Sequence, residues 1–161
     1  MKKLLIITTG ATIDKIYFDD ISDYQIGEPL IGQILDHLRV GFEYEVNALM
    51  RKDSLHLTDE DRQLIHDAVA NSDANHVLIT HGTDSMVKTA LLLSDIPGKT
   101  IVLTGALNPA RFRDSDAIFN IGCAIGAVQS QPPGAWVAMS GLVWDPKIVR
   151  KNRDKNRFEH T

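Results

Sequence analysis

The chain has 161 residues, which fits one ordinary globular domain, and its 43% hydrophobic and 24% charged residues exclude a disordered or fibrous protein. A formal net charge of -4 offers no basic face to a phosphate backbone, so we expect no nucleic-acid partner. Cys123 is the only cysteine, which excludes a disulfide framework and favours a reducing compartment, so we expect a cytoplasmic protein.

The amino terminus, Met1 to Ile7, resembles the start of a secretory signal. Its apolar run stops at Thr8, and Asp14 and Lys15 follow, so the run is shorter than a signal peptide needs. We therefore interpret it as the first strand. No apolar run approaches the length of a membrane span, and we expect no membrane partner.

A long polar segment, residues 14–27, follows the first strand. It is rich in aspartate and tyrosine with no clear period, which predicts a loop, and a loop beside a strand end often acts as a lid. Its aspartates lack the spacing of a calcium loop, so we expect no metal site. Pro29 then suits a first helical turn, and apolar residues at helical spacing predict a short helix up to Leu38.

The rest of the chain alternates strand and helix signals. The predicted elements are a strand at 42–50, a helix at 58–70, a strand at 76–80, a helix at 84–93, a strand at 100–103, a helix at 114–128 and a strand at 135–139. Such alternation predicts a parallel sheet with right-handed crossovers. We expect residues 1–161 to form a single Rossmann-like, three-layer α/β domain with a mainly parallel sheet of about five strands. A carboxy-terminal hairpin is expected around Asp145-Pro146.

Two hydroxyl-rich turns directly follow strand-like runs, Thr8 to Thr12 after the first and His81 to Ser85 after the third. Open parallel sheets bind ligands beyond the carboxyl ends of their strands, so these turns are candidate site segments. Thr12 and Thr83 are the hydroxyls best placed for chemistry. A threonine becomes a nucleophile only when a neighbouring group takes its proton.

Candidate partners for the two threonines are Asp84, Lys151 and Tyr24. Gly10 and Gly82 would let main-chain amides approach a substrate oxygen and form an oxyanion site. Considered alone, such residues serve more often as helix caps and turn formers. The residue types therefore leave a catalytic and a purely structural interpretation open.

Longer sequence motifs in the chain resemble those of a known family. TGATI at residues 9–13 and HGTDSM at residues 81–86 match two signatures of the bacterial-type L-asparaginase and glutaminase family, the second almost letter for letter. The chain also resembles that family at residues 104–109, 115–120 and 143–151, so the resemblance spans nearly its whole length.

The resemblance implies a primary nucleophile, Thr12, with Tyr24 as its activator on the lid, and a second triad of Thr83, Asp84 and Lys151. Members of that family hydrolyse the side-chain amide of asparagine, and often of glutamine, through an acyl-enzyme and release ammonia. They use no cofactor or metal. Which threonine attacks first, whether Tyr17 replaces Tyr24, and which amide is preferred stay open.

The resemblance also implies a set of substrate-binding residues. Ser54 falls where the family holds the α-carboxylate of the substrate, and Asp84 would pair with its α-ammonium group. The chain departs from the family pattern where Ala11 replaces a glycine, Asp14 replaces a small residue, and Leu55 and His56 replace a glutamine and an acidic residue. The implied substrate-binding set is Gly10, Ala11, Ser54, Leu55, Gly82 and Asp84.

The length of the chain matches that of the amino-terminal, catalytic domain of that family alone, so we expect the family's carboxy-terminal domain to be absent. Two functions follow: an amidohydrolase that works with this domain, or a non-catalytic amino-acid-binding or regulatory module that keeps the pocket. Because family members are homotetramers built from dimers, we expect a homodimer or homotetramer.

Overall fold

The computed structural model describes residues 1–161, which form ten strands and four α-helices. The strands are β1 (Lys3–Thr8), β2 (Lys15–Phe18), β3 (Asp23–Ile26), β4 (Glu43–Ala48), β5 (His76–Thr80), β6 (Thr100–Thr104), β7 (Gly134–Met139), β8 (Leu142–Trp144), β9 (Val149–Asn152) and β10 (Arg157–His160). The helices are α1 (Ile31–His37), α2 (Asp59–Ala70), α3 (Met86–Leu93) and α4 (Ala117–Ser130). No helix combines the length and the hydropathy of a membrane-crossing segment.

The central sheet has six strands in the order β4-β1-β5-β6-β7-β8. The first five run parallel, and β8 pairs antiparallel with β7 at the edge. β1, β5 and β6 are almost fully buried and consist mainly of Leu, Ile and Val, as expected for parallel strands with helices on both faces. The predicted α/β fold with a mainly parallel sheet is therefore confirmed.

Two apolar cores lie on opposite faces of this sheet. α2 and α3 cover one face, where Ile65 and Leu93 are fully buried. α1 and α4 cover the other face, where Leu35 and Ile121 are buried. Burial of side chains of this size stabilises the fold by about 1.5–3 kcal/mol each, so the three layers form the frame that positions the strand ends.

The four helical crossovers do not all have the same hand. α3 and α4 connect successive strands in the same direction across the sheet, yet they lie on opposite faces. The crossovers through α1, α2 and α3 all have the same hand. The β6–α4–β7 crossover therefore has the opposite hand. The expectation that every crossover is right-handed is wrong. The connection before α4, residues 105–116, is long enough to pass over the end of the sheet to its other face.

Two small hairpins lie outside the central sheet. β2 and β3 pair antiparallel, so the segment predicted as a loop is a hairpin, residues 15–26. Its side chains are mostly exposed, and without a buried face no apolar alternation marks its strands. The carboxy-terminal hairpin is confirmed, but it consists of β9 and β10. No hairpin turn occurs at Asp145-Pro146, because β8 pairs with β7 instead.

Candidate active site

The turns after β1 and β5 lie side by side at the carboxyl edge of the sheet. β1 lies between β4 and β5 in the sheet. The connection from β1 leads to β4 on one side, and the connection from β5 leads to β6 on the other, so the strand order reverses between β1 and β5. Open α/β sheets bind ligands at such a point. The N–H and the hydroxyl of Thr9 both donate to the Thr80 carbonyl, at 3.1 and 2.8 Å. The two hydroxyl-bearing turns therefore share one edge of the sheet.

Thr83, Asp84 and Lys151 form one hydrogen-bonded cluster. Lys151 Nζ donates to Thr83 Oγ1 at 2.6 Å and to Asp84 Oδ1 at 2.7 Å. The side chain of Lys151 is only 9% exposed, so the pair with Asp84 is shielded from solvent and attracts more strongly than a surface ion pair. Lysine is almost never buried without such a partner. The arrangement polarises the Thr83 hydroxyl while Asp84 balances the lysine charge.

The strand period of β9 directs Lys151 to this cluster. Val149 and Phe158, on the paired strands β9 and β10, pack into the core beside α3. Successive side chains of a strand point to opposite sides, so Lys151 shares the inward side with Val149, and Arg150 points outward. There the Arg150 guanidinium donates to Glu159 Oε1 at 2.9 Å, which holds the two strands together on the solvent side.

Ser54 lies against Gly82 in the second turn. A Cβ atom at residue 82 would lie 2.5 Å from Ser54 Oγ, so only glycine fits without displacement. Ser54 is 2% exposed, its hydroxyl has no hydrogen-bond partner, and its carbonyl accepts from the Ser85 hydroxyl at 2.7 Å. Unpartnered buried hydroxyls are uncommon, so this one is a candidate ligand group. Sequence reasoning missed the role of Ser85, whose only signal is its place in the HGTDSM string.

Among the buried residues of the two turns, four main-chain N–H groups donate no hydrogen bond within the protein. They belong to Gly10, Ala11, Gly82 and Thr83, which are all buried. Because nearly all buried N–H groups in proteins are paired, four free ones at one sheet edge form a set of donors for an external oxygen. This set fits the oxyanion site that the sequence predicts at the two glycines.

The first turn has an unusual backbone at Gly10 and Ala11. Gly10 has a φ of +91°, and a Cβ atom there would lie 2.8 Å from both Arg51 Cα and Lys52 N. Ala11 has a φ of 75° and a ψ of -164°, a region that is essentially restricted to glycine. The Lys52 N–H donates to the Thr9 carbonyl at 2.9 Å, which fixes the segment after β4 against this turn.

Thr12 and Tyr24 are not in hydrogen-bond contact. Thr12 opens a 3-10 turn, Thr12–Asp14, and is partly exposed, and no hydrogen bond within the protein involves its hydroxyl or that of Tyr24. The Tyr24 ring packs edge-on against Tyr17 and Phe112, with centroids 5.3 and 5.9 Å apart. Tyr24 is 44% exposed and Tyr17 is 52% exposed, so the hairpin carries both tyrosines at the surface.

An open cavity of about 520 Å³ lies between the 15–26 hairpin and the segment after β4. Leu55 is not among the residues that line it: its side chain is 55% exposed, and its N–H donates to the Asp53 carboxylate at 3.3 Å. Tyr24 and His56 do line it, so the structure brings the hairpin tyrosine and the Ser54 segment to one cavity. Its lining residues are Lys15, Tyr24, Ile26, Arg51, Lys52, Asp53 and His56.

His81 is a structural residue. It is fully buried, and its Nδ1 lies 2.7 Å from the Gly82 carbonyl while its Nε2 lies 2.8 Å from Thr89 Oγ1. Since a carbonyl only accepts, Nδ1 carries the proton and Nε2 accepts from the threonine hydroxyl. Burial lowers the pKa of His81 to about 4, partly opposed by the bond to Gly82, so the ring is neutral and braces the turn against α3.

The fold and the two turns define an α/β domain that brings threonine hydroxyls and free main-chain N–H groups together at its switch point. The chain belongs to the asparaginase family, because the family model described as Asparaginase, N-terminal matches residues 3–159. That family comprises amidohydrolases, which agrees with the chemistry available at this edge.

Individual relatives agree with the family assignment. The L-asparaginase of Thermococcus kodakarensis is 31% identical over 142 residues, which cover 84% of this chain and 43% of the relative. A glutamyl-tRNA(Gln) amidotransferase subunit from Pyrococcus abyssi is 34% identical over 94 residues, covering 56% of this chain and 22% of the relative. The solved structure of the thermostable L-asparaginase from Thermococcus kodakarensis superposes with a TM-score of 0.85 at 28% identity, covering 98% of this chain and 51% of that chain. The chain thus spans about half the length of these relatives or less.

Proposed function

We propose that the protein is a cytoplasmic amidohydrolase that cleaves the side-chain amide of asparagine, or of glutamine or a related small amide, without metal or cofactor. The observation that carries the proposal is the pair of hydrogen bonds from Lys151 Nζ to Thr83 Oγ1 and Asp84 Oδ1. The Thr83 hydroxyl, the lysine beside it and the carboxylate that orients the lysine have the arrangement of an activated hydroxyl, in which the lysine acts as a base only after it has lost a proton.

The proposed reaction proceeds through an ester on Thr12. Thr12 Oγ1 attacks the amide carbon, the C–N bond breaks, and the nitrogen takes the proton that Thr12 loses and leaves as ammonia. The free N–H groups of Ala11 and Gly82 would stabilise the oxyanion that forms on the carbonyl. Thr83, polarised by Lys151, then orients a water whose oxygen attacks the ester carbon. The bond to Thr12 breaks, its oxygen regains a proton, and the free acid leaves.

The deciding experiment measures ammonia release from asparagine and glutamine by wild type, Thr12→Ala and Thr83→Ala, with intact-protein mass measured during turnover. Removal of an acid–base partner lowers catalysis by about 10²–10⁴-fold, and removal of the nucleophile by at least as much. We expect Thr83→Ala to accumulate the acylated protein and Thr12→Ala to form none, and the reverse would assign the attack to Thr83. Thr161→Ala, at the exposed chain end, is the matched control. Absence of ammonia release from every amide would contradict the proposal.

A second candidate function is a non-catalytic amino-acid-binding or regulatory module. It is favoured by the lack of a hydrogen bond between Tyr24 and Thr12, since the Tyr24 ring packs against Phe112 instead. The free N–H groups and the Ser54 hydroxyl would still bind a carboxylate or an amide. Calorimetric binding of asparagine without any ammonia release would establish this function in place of catalysis.

Self-association, as a homodimer or homotetramer, is part of the proposal. The outer face of α4 and the adjoining edge strand expose Ile118, Phe119 and Leu142, each more than half exposed, and no charged residue interrupts α4. Exposed apolar patches of this kind mark protein contacts. Light scattering at micromolar concentration is expected to show a dimer or larger species, and a monomer would contradict this part of the proposal.

A further inference from the structure

Asp14 is a buried acid to which the proposed reaction assigns no role. It is 2% exposed and ends the 3-10 turn that begins with Thr12. Its N–H donates to the Ala11 carbonyl at 3.1 Å, its carbonyl accepts from the Gly27 N–H at 2.8 Å, and its Oδ1 accepts from the Leu30 N–H at 3.1 Å. One residue therefore joins the Thr12 turn, the chain leaving the 15–26 hairpin, and the start of α1.

We propose that Asp14 is a positioning residue that fixes both ends of the 15–26 hairpin to the Thr12 turn and so sets how closely the hairpin covers the site. The hairpin enters at Lys15, directly after Asp14, and leaves at Gly27, so both of its ends meet at this one residue. The hairpin itself is mostly exposed and has little other anchorage in the two cores. Apart from the Tyr24–Phe112 ring contact and the Lys15–Asp53 ion pair, its position beside the cavity depends on these hydrogen bonds. The link to catalysis rests on the proposed function, whereas the link to hairpin position does not.

The second carboxyl oxygen makes the anchorage depend on pH. Asp14 Oδ2 is buried without a hydrogen-bond partner. Burial raises the pKa of Asp14 to about 6, while the Leu30 N–H and the Arg51 charge act in the opposite direction. Arg51 is itself paired with Glu28, and Lys15 pairs with a different carboxylate, so neither neutralises Oδ2. Above pH 6 the unpaired charge favours hydration of the carboxylate, which requires the ends of the hairpin to separate from the turn.

Hydrogen exchange of the hairpin amides at pH 5 and pH 8, corrected for intrinsic exchange, tests the proposal. Asp14→Ala is expected to speed exchange across residues 15–30 at least about tenfold, the change typical for loss of one hydrogen bond to a carboxylate. Asp14→Asn keeps an acceptor for Leu30 and is expected to restore slow exchange and to remove the extra exchange of wild type at pH 8. Asp20→Ala, an exposed acid in the turn of the same hairpin, is the matched control and leaves exchange unchanged.

Kinetics separate positioning from a general loss of stability. If the protein turns over an amide, Asp14→Ala is expected to raise KM more than it lowers kcat, and Asp14→Asn to restore KM. Exchange in Asp14→Ala equal to wild type, or a pH effect that persists in Asp14→Asn, would overturn the proposal. If Asp14→Ala does not fold, the comparison of hydrogen exchange in wild type and Asp14→Asn at the two pH values still tests the proposal. Because exchange needs no turnover, an inactive protein would refute the proposed function without affecting this test.

Discussion

The two halves of the candidate site differ in how firmly the fold holds them. In the half around Thr83, Lys151 bonds to two partners, Ser54 packs against Gly82, and every reactive group lies on a strand or a turn braced by the core. In the half around Thr12, the threonine hydroxyl has no partner. Its expected activator lies on an exposed hairpin.

The difference between the two halves follows from how many of their side chains are buried in the apolar cores. β9 carries Lys151 and is anchored in the larger core through its own Val149 and through Phe158 of its partner strand β10. The 15–26 hairpin buries little surface and is joined to the body through Asp14, the Lys15–Asp53 ion pair and the Tyr24–Phe112 ring contact. Segments with few buried contacts open at low free energy. One half of the site is thus held by the core, whereas the hairpin beside the other half has few buried contacts, an arrangement typical of lids over substrates.

Replacing Lys151 should have the largest effect on the fixed half. Lys151→Met removes both hydrogen bonds and leaves Asp84 with only the more distant Arg153, at 3.6 Å. We expect ammonia release to fall about a thousandfold, within the range for loss of an acid–base group. Lys155→Met, on the turn of the same hairpin, is the control and should keep wild-type activity. Wild-type turnover in Lys151→Met would place the chemistry in the Thr12 half alone.

The pH dependence of stability compares a buried group from each half. His81, below the Thr83 turn, has a pKa lowered to about 4 from 6.5, so it favours folding above pH 6.5, and that contribution is lost as pH falls through this range. Asp14 has a pKa raised from 3.8 to about 6, so its penalty appears as pH rises from 3.8 to 6. Each contribution amounts to about 3 kcal/mol, at 1.36 kcal/mol per pKa unit.

The two contributions nearly cancel between pH 4 and pH 6 in the wild type. Asp14→Asn removes one of them, so its unfolding free energy in urea should rise by about 3 kcal/mol from pH 4 to pH 6.5. The unfolding free energy of Asp14→Asn should also exceed that of the wild type above pH 6 and equal it near pH 4. A wild-type curve that rises as steeply as that of the variant would show that the Asp14 carboxyl is not buried in solution.

Adding a methyl group at Gly82 tests the close packing of the fixed half. The Cβ atom of Gly82→Ala would overlap Ser54, and overpacking of this kind typically lowers the free energy of unfolding by about 1–3 kcal/mol. Gly122→Ala is the matched control, because its Cβ meets no atom within 4 Å and lies in α4. There alanine should stabilise the helix by about 1 kcal/mol. Equal stability of the two variants in urea would show that Ser54 is free to move.

The predictable elements are those whose local sequence and tertiary environment agree. α2 begins at its predicted cap, where the Thr58 hydroxyl and the Asp61 carboxylate accept each other's N–H groups, and β5 spans its predicted residues. The residues of β5 and of β1 form continuous apolar runs, because helices cover both faces of the central sheet. The hand of the β6–α4–β7 crossover was not predictable, because it depends on which face receives α4, and no local pattern encodes that choice.

The candidate site divides in the same way. Motif matches located both turns, since these follow core strands whose positions the sequence predicts, and the family resemblance at residues 143–151 located Lys151, which lies on β9. They did not indicate that Leu55 points to solvent or that Tyr24 packs against Phe112, because both depend on how the 15–26 hairpin and the segment after β4 meet the body. The wrong loop assignment at residues 14–27 has the same cause: an exposed hairpin lacks an apolar period.

The smallest expected effect concerns the backbone of the Thr12 half. Ala11 adopts a φ of 75° and a ψ of -164°, and an alanine in this glycine region stores about 1–3 kcal/mol of strain. Ala11→Gly relieves that strain but loses about 0.5–1 kcal/mol to the greater freedom of glycine when unfolded, together with the burial of one methyl group. We expect a net stabilisation of about 1 kcal/mol or less in urea at pH 7. Ala68→Gly, within α2, is the control and should destabilise by about 1 kcal/mol. If Ala11→Gly destabilises as much as the control, the Thr12 turn relaxes in solution to a backbone that alanine tolerates. The free N–H of residue 11 would then point away from the position where an oxyanion site requires it.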